Sequence, residues 1–302
     1  MSWLVRETYE DPIKLLRKEL KNDSIIKMPG AHDAMSALLA QKVGFTSIYL
    51  SGAAFTASLG MPDLGIITLT ELSNRTKEIT RASGMPMLVD ADTGYGGVLN
   101  TARTVQELVD SGAAAIQLED QELPKKCGHL NGKKIVTKDE MVSKILAARQ
   151  ADPNVVIVAR TDVFGTGGMD EAVARAKAYY EAGADVIFPE ALQTKDDFKI
   201  FASKVDFPLL ANMTEFGRTP MFTAEEFKEM GYKIIIYPVT SLRIAAKAIE
   251  SLYKELYENG TQKKLLDKMQ TRQELYDILL YDKYEDLDNS IAKTNMDELI
   301  KY

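Results

Sequence analysis

T-A-R-T-V-Q-E-L-V-D-S-G-A-A-A-I-Q-L-E, residues 101–119, decides the fold. Residues 101–111 are amphipathic at helical period, Gly112 interrupts, and 114–119 read as a buried strand. A glycine just past a helix takes the left-handed conformation that ends it. The same helix–glycine–strand step recurs at Val43-Gly44-Phe45, Ala182-Gly183-Ala184 and Met230-Gly231-Tyr232.

Outward from that unit, strand-like runs fall at residues 25–28, 46–50, 87–90, 114–119, 155–160, 185–189, 208–212 and 233–238. Helical segments lie between them at 34–43, 69–82, 101–111, 138–150, 170–182, 195–203 and 224–230, with another at 241–257 after the last run. Near-continuous apolar strands imply a parallel sheet covered on both faces. Eight βα units predict an α/β fold, a (β/α)8 TIM-type barrel. An open doubly wound sheet is the alternative, weakened because no G-x-G-x-x-G follows the first strand. Residues 5–21 predict a helix that packs on the barrel or covers it. Helical segments at 262–279 and 288–301 exceed what a barrel needs. No Gly/Ser/Pro-rich linker precedes them, so 1–302 is read as one barrel domain and 259–302 as its helical extension, docked on this subunit or a neighbour.

The 302-residue chain is 45% hydrophobic and 27% charged, an ordinary globular mix. No apolar run approaches the roughly 18 residues of a membrane span, and the first residues break into charge too early for a signal peptide. A single cysteine excludes an internal disulfide framework, so a cytoplasmic location is expected. A net charge of −7 argues against nucleic acid or an anionic membrane as partner. An anionic substrate needs its own basic pocket.

In a barrel the chemistry collects at the C-terminal strand ends. Ser51, Asp90, Asp92, Glu119, Asp120, Arg160, Asp162, Glu190, Asn212 and Thr214 all fall there. Asp90-Ala91-Asp92 puts two carboxylates on one side of an extended segment. Few oxygen ligands, leaving room for waters and substrate, suit Mg²⁺ or, as a substitute, Mn²⁺. Asp162 is read as a helix N-cap. Asp90 and Asp92 are not, since Thr93-Gly94-Tyr95-Gly96-Gly97 delays the helix. That glycine-rich run lacks the Lys-Ser/Thr of a phosphate loop. His32 is read as structural, Met61-Pro62-Asp63 as a turn, and Arg81, Arg103 and Arg149 as surface residues.

Residues 123–133, L-P-K-K-C-G-H-L-N-G-K, hold the only cysteine and one of two histidines. A lone cysteine is usually a small buried hydrophobe. Here Lys125 and Lys126 precede it and glycines surround it, which favours an exposed loop and a thiolate.

Lys125-Lys126-Cys127-Gly128-His129, Asp90-Ala91-Asp92, Ser51-Gly52, Asn212-Met213-Thr214-Glu215-Phe216-Gly217 and Met269-Gln270-Thr271-Arg272 together resemble the 2-methylisocitrate lyase branch of the isocitrate lyase and phosphoenolpyruvate mutase superfamily. The likeness spans nearly the whole chain, and the cysteine loop is specific to the lyases. It implies Mg²⁺-dependent cleavage of a tricarboxylate, 2-methylisocitrate, to pyruvate and succinate in the methylcitrate cycle of propionate catabolism. A homotetramer that exchanges its eighth helix is implied as well. By resemblance Asp90 and Asp92 hold the metal and Glu119 faces its waters. Ser51, Gly52, Ala53, Cys127, Gly128, Arg160, Glu190, Asn212, Met213, Thr214, Arg243 and Arg272 bind substrate, Ala53 standing where the family more often has Gly. Cys127, with His129 and Arg160 in the catalytic set, gives the succinate carbanion its proton, and Tyr49 is the expected base. Isocitrate lyases are usually more than a hundred residues longer. A non-catalytic barrel is expected to lack Asp90, Asp92 or Cys127, and all three are present.

Overall fold

A computed structural model describes residues 4–6, 10–126, 128 and 132–299, with side chains described through residue 292. The chain divides into two compact units, Glu10–Arg243 and a second that takes Ile244 onward with the N-terminal residues.

The larger unit holds eight parallel strands: β1 Ile26–Pro29, β2 Ile48–Leu50, β3 Met87–Asp90, β4 Ala115–Glu119, β5 Val156–Thr161, β6 Val186–Pro189, β7 Leu210–Asn212 and β8 Ile234–Tyr237. Two arcs, β2-β3-β4-β5-β6 and β1-β8-β7, carry the ladders. Single parallel bridges, Gly30 to Tyr49 and Ile187 to Leu209, join the arcs on both sides and close the barrel. A closed ring excludes the open sheet.

Each predicted strand exists, with ends shifted by a residue or two. Gly44, Gly112, Gly183 and Gly231 all adopt the left-handed conformation between helix and strand (φ +91 to +109). Three expectations need correction. The first helix is Pro12–Leu20, not 5–21, because Pro12 fits a first turn and breaks a helix interior. Asp11 caps it by accepting the amide of Ile13 at 2.9 Å. A short helix at Gly52–Ser58, directly after β2, was not foreseen. The helix expected from 170 already begins at Phe164, with a break at Gly168 (φ +74).

Strand side chains alternate in and out, so residues two apart share a face. Met28, Tyr49, Leu88, Ala115, Val158, Phe188, Leu210 and Ile236 form the buried interior, and Leu16 of the helix Pro12–Leu20 joins it, fully buried. Two residues further along the same parity stand Ser51, Asp90, Gln117, Arg160, Glu190, Asn212 and Pro238. The period that builds the apolar core therefore delivers polar groups to one rim.

The second unit is helical. Arg272–Leu279 and Tyr281–Leu299 follow a 3-10 turn at Lys263–Lys268, and Tyr276 stacks on Tyr281 at 4.5 Å. On the helix Thr240–Asn259 no side chain is buried, and Ile244 and Tyr257 are 71% and 93% exposed.

Candidate active site

At the rim Asp90 is held by three donors. Gly52 N–H reaches Oδ2 at 3.2 Å, while Gln117 Nε2 and Asp92 N–H reach Oδ1 at 3.0 and 3.2 Å. Asp92 has φ +49, a left-handed conformation that Asp tolerates better than most residues and that costs energy. It turns the carboxylate back beside Asp90. A Cβ placed on Gly52 would stand 3.1 Å from Asp90 Oδ2 and 3.2 Å from Asp92 Oδ1, so both carboxylates converge on one spot, and a side chain there would force them to give way. Lys144, buried on the helix Lys138–Ala151, fixes the following turn by donating to the Thr93 carbonyl at 3.0 Å.

This cluster suits a hard cation. Glu119 Oε1 is buried without a hydrogen-bond partner, while Asp92 Oδ1 and Glu119 Oε2 are met only by the cations Lys125 and Arg160. Such groups are costly to leave unmatched. Burial pushes the Asp92 carboxyl up to about 7, against the pull of Lys125 and with the push of Asp90. Burial likewise raises Glu119, against Arg160 and Lys125. Among the described residues no three His, Cys, Asp or Glu side chains are already arranged around a metal position. Two aspartates plus waters fit Mg²⁺, which keeps much of its hydration. The Lys125 ammonium contacts Asp92 and meets Asp63 at 2.7 Å, so a lysine cation supplies positive charge at this spot.

Arg160 is the second centre. Its Nε and Nη2 form a two-pronged pair with Asp162 at 2.9 and 3.0 Å, and Nη1 lies 3.1 Å from Glu119. Burial disfavours its charge, but Asp162, Glu119 and Glu190 more than offset that and hold the guanidinium charged. Asp162 is kept ionised below the usual carboxylate range despite burial, by Arg160 and Lys133. Asp162 is therefore not a helix cap: Val163 occupies that position and makes no side-chain cap bond. Behind it Asp120, fully buried, accepts from Asp162 N–H, Thr161 and Tyr179 hydroxyls and Arg175 at 2.9, 2.7, 2.8 and 3.2 Å.

A cavity of about 60 Å³ lies between the two centres, lined among others by Ser51, Ala53, Asp63, Asp90, Lys125, Gly128, Arg160, Glu190, Asn212 and Thr214. That is room for roughly two waters. Its apolar wall is Phe188, Ile236, Pro238 and Val239. Asn212 Nδ2 lies 3.4 Å from both Glu190 oxygens, and its own Oδ1 is buried without a partner. A Cβ on Gly128 would stand 2.5 Å from Glu190 Oε1 and 2.6 Å from Arg160 Nη2, so this position admits only glycine while both side chains keep their places.

Other expected residues lie elsewhere or act differently. Met213 turns outward, its sulfur accepting from Phe222 N–H at 3.2 Å, as strand parity requires. Arg243 binds Glu215 at 2.8 Å and lies over the Phe216 ring rather than lining the cavity. Gly52 spends its N–H on Asp90. Arg272 opens a helix of the second unit. Cys127 and His129 fall outside the described residues. Tyr49 lines the cavity, yet its hydroxyl donates to Gln117 at 3.2 Å. Burial, with Asp90 and Glu119 nearby, raises its pKa far above the ordinary tyrosine value, so the phenol is a donor and not a ready base.

Sequence reasoning missed Gln117, Asp63, Lys133 and Lys144. Arg149, expected at the surface, instead pairs with Asp185 at 2.6 Å and binds four backbone carbonyls. His32 fits its structural reading: it is nearly buried, with Ser241 Oγ 3.5 Å from Nδ1.

Residues 16–257 match the family model of phosphoenolpyruvate phosphomutase. A 2-methylisocitrate lyase of Bacillus subtilis is 55% identical over 97% of this chain and 98% of its own. This chain belongs to the 2-methylisocitrate lyase family. The fold agrees with its superfamily: a crystal structure of 2,3-dimethylmalate lyase, described as a PEP mutase/isocitrate lyase superfamily member, superposes with a TM-score of 0.88 at 39% identity. It covers 94% of this chain and 96% of that one. A phosphonopyruvate hydrolase in complex with oxalate and Mg²⁺ matches at a TM-score of 0.84 and 26% identity, over 93% and 99% of the two chains. The family thus joins the observed rim of carboxylates to a superfamily in which Mg²⁺ has been seen with a small dicarboxylate.

Proposed function

We propose that the protein is a carbon–carbon lyase that cleaves 2-methylisocitrate to pyruvate and succinate in the methylcitrate cycle of propionate catabolism. The observation that carries this reading is the convergence of Asp90 and Asp92 beside the paired, charged Arg160 in a cavity with an apolar wall. Asp90 and Asp92 would hold Mg²⁺, or Mn²⁺ in its place, with Glu119 toward its waters. Bound there, the ion makes a substrate hydroxyl more acidic.

The chain's own groups account for the rest. Arg160, Asn212 and Thr214, with the Ser51–Ala53 segment and Gly128, surround the substrate carboxylates. Lys125 leaves Asp92 as substrate enters, since the cavity is too small for a tricarboxylate while that contact stands. The C2 hydroxyl gives its proton to a water of the cavity, the C2–C3 bond breaks, C2 becomes the pyruvate ketone, and the electron pair remains on the succinate fragment. Fixed cations stabilise that charge. The Cys127 thiol returns a proton to the carbanion, with His129 in the catalytic set. Tyr49, locked as a donor to Gln117, orients Asp90 through that amide instead of serving as base.

The protein would work as one barrel with a C-terminal extension, in a cytoplasmic homotetramer that exchanges the helix Thr240–Asn259. The exposed apolar side chains of that helix support the exchange. Among the described residues no helix is long and apolar enough to cross a membrane.

Isocitrate cleavage to glyoxylate is the second reading, and the wall of Phe188, Ile236 and Pro238 favours the methylated substrate over it. The test is the keto acid released, with Mg²⁺ present, from 2-methylisocitrate, isocitrate and 2,3-dimethylmalate assayed separately. A methyl in such a pocket is worth roughly 10- to 200-fold. Pyruvate from 2-methylisocitrate should therefore form faster than glyoxylate from isocitrate by that margin. Equal rates would remove the assigned pocket, and turnover of none of the three would favour a binding barrel.

A further inference from the structure

Asp162 carries two cations at once. Lys133 Nζ stands 2.8 Å from Asp162 Oδ1, the oxygen that also accepts Arg160 Nη2 at 3.0 Å. The same ammonium donates to the Gly128 carbonyl at 2.6 Å. Its side chain is only 6% exposed and that of Asp162 is fully buried, so water does little to screen either charge.

From this geometry we infer that Lys133 is a positioning residue: it shares the Asp162 carboxylate with Arg160, so that less of the guanidinium's field is cancelled and more of it reaches an anionic substrate, and it anchors Gly128 beside the Arg160 guanidinium. The argument is one of charge and donors. Asp162, Glu119 and Glu190 all press on Arg160, and the Lys133 ammonium on Asp162 offsets one of those three negative groups. Of the five guanidinium N–H groups, Asp162 takes two and Glu119 faces a third. Among the described residues no hydrogen bond takes the remaining N–H on Nη1 or on Nη2. Nη2 borders Gly128, so the carbonyl tie fixes the wall against which those donors point. A lysine needed only for packing would not require a carboxylate shared with an active-site arginine.

The inference rests on the reading of Arg160 as a substrate-binding cation, and the experiment separates the two. Succinate binding to the Mg²⁺-loaded full-length protein is measured by calorimetry, alongside KM and kcat for 2-methylisocitrate. The panel is wild type, Arg160→Gln, Lys133→Gln, Lys133→Arg and the double variant Lys133→Gln/Asp162→Asn. Lys133→Gln is expected to weaken succinate and raise KM by about one order of magnitude, the scale of a lost nearby charge in a protein interior. Lys133→Arg should recover most of that loss. The double variant restores the net charge around Arg160 and should bind succinate more tightly than Lys133→Gln alone. A purely structural lysine predicts the reverse, with the double variant worse than Lys133→Gln alone. Lys133→Gln binding succinate like wild type, or a double variant weaker than Lys133→Gln, overturns the inference while leaving the site intact. Unchanged succinate binding in Arg160→Gln overturns the site reading itself, and the inference with it.

Discussion

Replacing Asp120 by alanine should both loosen the fold and slow the enzyme, although this side chain stands behind the active-site cavity and not in its lining. Its carboxylate is fully buried and accepts four donors: Asp162 N–H, Thr161 and Tyr179 hydroxyls, and the Arg175 guanidinium. Alanine strands all four. Thr161 and Tyr179 can rotate their hydroxyls, and Arg175 keeps Glu171 at 2.8 Å and the Val136 carbonyl at 2.9 Å. The donors are therefore not lost independently, and the cost is that of breaking one buried charge pair, about 3–5 kcal/mol. For a unit of this size each kcal/mol lowers Tm by about 2–4 °C, which predicts a drop of roughly 6–20 °C. Catalysis should suffer because Asp162, released at its N–H, no longer holds Arg160 squarely; kcat/KM should fall by about 10- to 100-fold. Asp120→Asn keeps an acceptor for part of the set and should fall between the two. Calorimetric melting of the Mg²⁺-loaded protein and a coupled pyruvate assay report both effects. A Tm within 2 °C of wild type, together with an unchanged rate, would refute the network as described, the 2 °C being about the shift for 1 kcal/mol.

Three further outcomes are expected. Asp92→Ala should lower turnover by at least about 10³-fold and abolish the rise in Tm on adding Mg²⁺ while the barrel stays folded; full activity in Mg²⁺ buffer would dismiss the metal assignment, and an unfolded variant would make the residue structural. Cys127→Ser should cut kcat by about 10²-fold or more with KM little changed, because a hydroxyl is a far weaker acid than a thiol; wild-type turnover would move the proton donor elsewhere. Asp162, whose native pKa is depressed by Arg160 and Lys133, contributes stability that is complete above its unfolded value of about 4 and is lost as pH falls through the lower native value. Urea melts of wild type and Asp162→Asn should thus differ most above pH 4 and converge below it, and a gap that widens in acid would reverse the assigned sign.

Local pattern carried the barrel into the sequence. Strand runs, the helical period and the four glycine stops are short-range signals, and strand parity alone places Asp90, Arg160, Glu190 and Asn212 on the inner face. What stayed hidden depends on contacts across space. Asp63 reads as a turn residue until Lys125 reaches it, and Asp162 reads as a cap until Arg160 and Lys133 claim its oxygens. Gln117 sits within an apolar strand and nothing near it in sequence shows that it bridges Tyr49 and Asp90. Tyr49 was given a base's role from its place on β2; only the bond to Gln117 and its deep burial show a bound phenol. The helix Gly52–Ser58 is hidden because six small residues and a single Phe55 after a strand present no apolar period.

The two single bridges that close the barrel also bear on its order of assembly. The arc β2-β3-β4-β5-β6 is contiguous in sequence, so each of its pairings forms between neighbours as the chain leaves the ribosome. β1 is made first but must wait, because its ladder partner is β8, with Ile26 opposite Ile234. Until Tyr237 has emerged, β1 and β7 both lack the ladder partner they share, the ring stays open between them, and unpaired edges invite association with other chains. Newly made protein is therefore most exposed to misassembly during synthesis of its last third, and a chaperone that shields sheet edges would act on this chain before its eighth strand appears.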